Sequence, residues 1–115
     1  MYKIVKIGDK NIPMMSNGGT LREYRQFFKR DFLSDLIKLK KGEKTGDVNT
    51  EIFENFAWIL AHRANPKINP IDEWLMQFED PFAIINAFDD IIELIDSTTS
   101  PTVTPKKKNQ QQTKK

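Results

Sequence analysis

Three Asx-Pro steps, Asn65-Pro66, Asn69-Pro70 and Asp80-Pro81, limit what this chain can fold into more than any other feature. A residue before proline is pushed out of the helical region, and proline inside a helix removes a ladder hydrogen bond. The same dipeptide is a good helix start, because the Asx side chain caps while proline takes the first helical position. The second half of the chain is therefore cut into short helices. One runs from about Asn49 or Thr50 to Ala64, carries Ile52, Phe53, Phe56, Ile59 and Leu60 on one face, and stops at Asn65-Pro66. Two more begin at the following steps. The segment 70–78 holds Ile71, Trp74, Leu75 and Phe78, and the segment 81–96 holds Ile84, Ile85, Phe88, Ile91, Ile92 and Ile95.

Upstream, Asn17-Gly18-Gly19 breaks the chain, and Thr20-Leu21-Arg22-Glu23 has capping-box spacing. Leu21, Tyr24, Phe28, Phe32 and Leu36 then follow at helical intervals, with Phe27, Leu33, Ile37 and Leu39 broadening the stripe. Its register widens near Arg30-Asp31, which allows one bent helix or two abutting ones, with Asp31 as a cap or ion-pair partner at the bend. Lys40 to Asp47 reads as a solvated loop. At the N-terminus, Tyr2 to Ile7 and Ile12 to Met15 flank the turn residues Gly8-Asp9-Lys10-Asn11, a β-hairpin pattern. Pro13 makes the second strand an edge, and a lone hairpin is marginal in water, so it has to lie on the helices. The expected fold is α+β, mostly α: an N-terminal β-hairpin packed on a small bundle of about four helices. Residues 1–96 form the one domain, and 97–115, polar and almost without apolar side chains, form a disordered Lys/Gln-rich tail.

Composition removes most enzyme chemistry. The chain has no cysteine and a single histidine, His62, so thiolate zinc sites, cysteine nucleophiles and paired-histidine chemistry are excluded. No glycine-rich phosphate loop follows a strand. Asp89, Asp90 and Glu93 lack the alternation of a calcium loop and read as a solvated face. No catalytic residue, metal or cofactor is expected. No apolar run reaches the ~20 residues of a membrane span, and the first residues are too short an apolar stretch for a signal peptide. A soluble cytoplasmic protein is expected.

Charge is unevenly distributed. Residues 1–46 hold eleven Lys or Arg against five Asp or Glu, residues 68–96 hold eight acids and no base, and residues 97–115 add five lysines. A nucleic-acid-binding domain concentrates basic charge on its folded face, so excess at the two ends disfavours that partner. Trp58 falls off the Ile52-Phe56-Ile59 stripe and gives its helix apolar character on two sides. Packing against Trp74 is the favoured reading, an interaction surface the other.

The run Leu21-Arg22-Glu23-Tyr24-Arg25-Gln26-Phe27-Phe28-Lys29-Arg30-Asp31, set after a short hairpin, resembles the tail assembly chaperones of tailed, siphovirus-like phages and prophages of Gram-positive bacteria. Trp58-Ile59-Leu60-Ala61-His62-Arg63-Ala64-Asn65-Pro66 and Pro70-Ile71-Asp72-Glu73-Trp74-Leu75-Met76-Gln77-Phe78 are similar to two later segments of that family, so the resemblance spans about residues 2–96. One departure is Lys29, where the family commonly has glycine; it bears on the bend before Arg30-Asp31.

The resemblance implies a non-enzymatic assembly factor, working in the host bacterial cytoplasm and absent from the mature virion. It would bind the tape measure protein, keep it soluble and promote tail tube assembly. A longer product, made by programmed ribosomal frameshifting, would also hold tail tube protein. Tyr24, Arg25, Arg30, Trp58, Arg63, Trp74 and Phe78 are the candidate protein-binding residues, and self-association is allowed for. The rival reading is a small nucleic-acid-associated phage protein using its basic N-terminal helix and lysine tail.

Overall fold

The computed structural model describes residues 1–99. Strands β1 (Tyr2–Ile7) and β2 (Lys10–Met15) form an antiparallel hairpin in which Val5 faces Ile12 and Ile4 faces Pro13. Gly8, at a φ of 63°, opens the two-residue loop in a conformation that glycine adopts without steric cost. Alternation does the rest: Val5, Ile7, Ile12 and Met14 are buried on the inner face, while Tyr2 and Ile4 stay exposed. As its marginal size requires, the hairpin lies on helices.

Among the described residues six helices follow: α1 (Thr20–Phe28), α2 (Phe32–Thr45), α3 (Thr50–Ala64), α4 (Ile71–Leu75), α5 (Ala83–Asn86) and α6 (Phe88–Thr99). The centre is α3, packed against β2, α1, α2, α4 and α5. Being surrounded, it buries residues all round, from Ile52 and Phe53 to Leu60 and Ala61. Its Asn49 caps it through the Ile52 N–H at 3.1 Å. The last helix closes the core with Ile91, Leu94 and Ile95.

The α+β, mainly helical class holds, and several details differ from the expectation. Of the two readings allowed for the long N-terminal stripe, the structure takes two helices: Lys29 turns left-handed at a φ of 58°, and Asp31 caps α2 by accepting the Ser34 N–H at 2.9 Å. The expected loop from Lys40 is helical to Thr45, where Gly46, at a φ of 82°, donates its N–H to the Gly42 carbonyl. Thr20 is not the cap of α1. It sits inside the helix with its hydroxyl accepting the Asn17 N–H, and the Glu23 side chain turns away toward α3.

The Asx-Pro starts are displaced inward. Asn69 makes no side-chain cap, and α4 ends at Leu75 in a run of tight turns. Asp80 accepts the Phe82 N–H at 2.8 Å, which delays helix formation to Ala83. The segment 81–96 is then broken again at Ala87, into α5 and α6. At its other end α6 continues to Thr99, so 97–99, assigned to the tail from sequence, are helical. The rest of that expected disordered tail lies outside the described residues.

Candidate protein-binding site

The Tyr24-to-Asp31 run contributes a buried polar knot. Tyr24 is fully buried against Phe28, Phe32 and Phe56, and its hydroxyl donates to Asp35 Oδ2 at 2.7 Å. Arg30 grips the same carboxylate with two bonds, Nε to Oδ2 at 2.7 Å and Nη2 to Oδ1 at 2.8 Å. Burial alone would raise the Asp35 carboxyl; the hydrogen bonds from Arg30 and Tyr24 outweigh it and hold Asp35 below the usual range. Burial and the Asp35 charge push the Tyr24 hydroxyl up. Two of the candidate binding residues, Tyr24 and Arg30, are thus engaged in joining α1 to α2. Arg25 is exposed and reaches Asp31 at 3.8 Å.

One turn away, Phe27 stands half exposed on α1. With Phe28, Trp58, His62, Ile68 and Ile71 it lines an apolar groove of about 280 Å³. Trp58 is buried as its floor. Its indole N–H donates to the Asn69 carbonyl at 2.9 Å, and His62 stacks on the ring at 4.7 Å. Phe27 meets both rings edge-on, at 5.0 Å from Trp58 and 4.9 Å from His62. Trp58 therefore packs, but against Phe27 and Phe28; Trp74 pairs with Phe78 at 5.2 Å instead.

A polar edge borders this groove. Glu23 Oε1 lies 3.4 Å from both His62 Nδ1 and Arg63 Nη1, while Arg63 Nη2 donates to Asn17 Oδ1 at 2.7 Å. Arg63 thereby pins the 17–19 break to α3. A β-carbon at Gly19 would stand 2.9 Å from that guanidinium, so a larger residue there would make the flexible end of Arg63 shift.

A second groove, of about 270 Å³, opens between α3, α4 and α5. Leu75, Phe78, Pro81 and Ile84 form its apolar walls, and Glu54, Glu79 and Asp80 its rim. Burial, reinforced by the neighbouring charge of Glu51, pushes the Glu54 carboxyl up. Trp74 is buried and faces a more polar hollow shared with Ile12, Lys67 and Gln77.

The seven candidates are therefore not one site. Trp58 belongs to the Phe27 groove, Arg63 to its edge and Phe78 to the acidic groove; Tyr24 is in the packed interior, Trp74 is buried beside the polar hollow, and Arg25 and Arg30 are exposed at the junction of α1 and α2. Phe27, the most accessible aromatic of the first groove, was read from sequence as core. Its signal is a helical position one residue off the Tyr24-Phe28 stripe, a rotation of about 100°.

Among the described residues no three His, Asp or Glu side chains are grouped to hold a metal ion. Of the α6 acids, Asp90 and Glu93 are engaged by Lys3, at 3.6 and 2.6 Å. No helix among the described residues is long and apolar enough to cross a membrane. In comparisons with known proteins, no family model, curated protein or solved structure matches the chain.

Proposed function

We propose that this chain is a phage tail assembly chaperone in its short form, acting by protein contact alone. The observation that carries the reading is the Phe27 groove: an apolar slot floored by Trp58, with a half-exposed aromatic at its mouth and a charged edge. An amphipathic helix presents side chains at helical spacing that such a slot accepts. A tape measure protein, being long and helical, offers many such segments and needs them covered until the tail tube encloses it. The order of the Tyr24-Arg25, Trp58 and Trp74 segments supports the same family. In this reading the protein works in the host cytoplasm, stays out of the virion, and passes tube subunits to the client through a frameshifted long form.

The rival nucleic-acid reading is weakened by the ion pairs of two of its cations. Arg30 is locked onto Asp35 and Arg25 faces Asp31. Coexpression with a tape measure protein of a siphovirus-like phage tests the proposal. The chaperone should keep that client soluble and copurify with it, and Phe27→Asp should lower the recovered complex about tenfold, as loss of an interface anchor does. A client equally soluble without this chain, or salt-sensitive retention on DNA in its place, overturns the reading.

A further inference from the structure

The unequal distribution of charge is carried onto two different surfaces of the fold. On α2, Leu33 and Ile37 are 47% and 56% exposed and lie one turn apart, although Phe32, Leu36 and Leu39 hold the helix in the core. Lys41 and Lys44 continue the same stripe at helical spacing, Lys38 flanks it, and all three lysines are exposed. Glu43, the one acid near them, flanks the stripe on the edge opposite Lys38, about 100° around the helix from Lys44. This is an outward-facing basic amphipathic stripe on a 14-residue helix.

The acidic groove is its counterpart. Leu75, Phe78, Pro81 and Ile84 are ready to take apolar side chains, and Glu54, Glu79 and Asp80 stand around them. Met76 and Phe82, 80% and 65% exposed, widen the apolar area on either side. Three of the four α6 acids, Asp90, Glu93 and Asp96, are answered by Lys3 and Lys40, but among the described residues no ion pair reaches Glu54, Glu79 or Asp80. An apolar floor inside an acidic rim selects an apolar side chain with cations on the same helix face. Because α2 is packed against its own core, its stripe is available only to another molecule.

We propose that the groove between α3, α4 and α5 of one copy receives the Leu33-Ile37-Lys41 stripe of α2 of a second copy. The contact joins two different patches, so each copy keeps one free stripe and one free groove, and association proceeds head to tail. It does not depend on the chaperone reading, which uses the Phe27 groove.

Sedimentation equilibrium of the full chain tests this. The mass should exceed that of the 13.4 kDa monomer, rise with concentration, and fall back toward the monomer as salt is raised to about 0.5 M. One variant, Ile37→Asp with Lys41→Glu, spoils the stripe; another, Met76→Lys with Glu79→Lys, spoils the groove. Each alone should be monomeric, and their equimolar mixture should recover a 1:1 complex, since one supplies the groove and the other the stripe. The single changes Lys41→Glu and Glu79→Lys repeat the test if a double variant loses its helical circular dichroism. A wild-type monomer at every concentration overturns the proposal, as does association that both variants leave unchanged, or a mixture that stays monomeric. If the wild type is monomeric yet its groove binds a synthetic Leu/Lys helical peptide, the occupant is a foreign basic helix and the self-contact is wrong.

Discussion

Lys29 occupies the left-handed region at a φ of 58°, where a β-carbon crowds the following carbonyl. Its N–H closes α1 on the Arg25 carbonyl at 2.8 Å, so the position acts as a glycine-type helix end without a glycine. Lys29→Gly should therefore stabilise the fold by about 1 kcal/mol, read as a higher urea midpoint at unchanged slope. Nearby, Asp35 is held below its ordinary titration range. Such a group contributes stability above its unfolded pKa of about 3.9, and the contribution is lost as pH falls through the folded value. Asp35→Asn should cost about 1–3 kcal/mol at pH 7, the range for leaving buried donors poorly satisfied. The gap between wild type and variant should narrow as denaturation is repeated below pH 4. A gap independent of pH would mean that shape, and not charge, holds Tyr24 and Arg30 in place. The Asp31 cap was legible from sequence; the Asp35 knot was not, since a buried carboxylate looks like a surface one until its partners are placed.

At the scale of elements, legibility followed the strength of local signals. The hairpin, α3 and the break before Asp31 were readable because alternation, helical spacing and an Asx cap each act within a few residues. Lys40–Thr45 was misread because lysine and glutamate look like solvent-facing loop, although both are good helix formers and Leu39 anchors the segment. Gly42 inside that stretch is the misleading residue. It serves close approach: a β-carbon there would lie 2.3 Å from the Asp47 carbonyl oxygen, where the chain folds back after Gly46. Alanine is intrinsically better in a helix by about 1 kcal/mol, yet the opposing atom is backbone and has little room to yield. Gly42→Ala should thus lower the thermal midpoint. A rise would show that the 46–49 turn shifts freely. The division of 81–96 into α5 and α6 had no local sign, because Ala87 is a good helix former and is buried at the break.

Taken whole, the molecule is arranged around α3, with the hairpin and α1 packed against it and the acidic helices closing the rest. The candidate site was only partly readable. Aromatic residues announce a core and a docking surface with the same spacing, and Phe27 separates the two by a single step around α1. The junction of hairpin and α6 has a consequence of another kind, in time. Lys3 meets Glu93 across 90 positions of sequence, so this contact of the first strand forms only once α6 has left the ribosome. Until then a hairpin too small to persist alone waits beside an unfinished core, and closing so distant a contact is slow. Newly made chains of this protein therefore pass through a stage in which their own apolar surfaces need shelter.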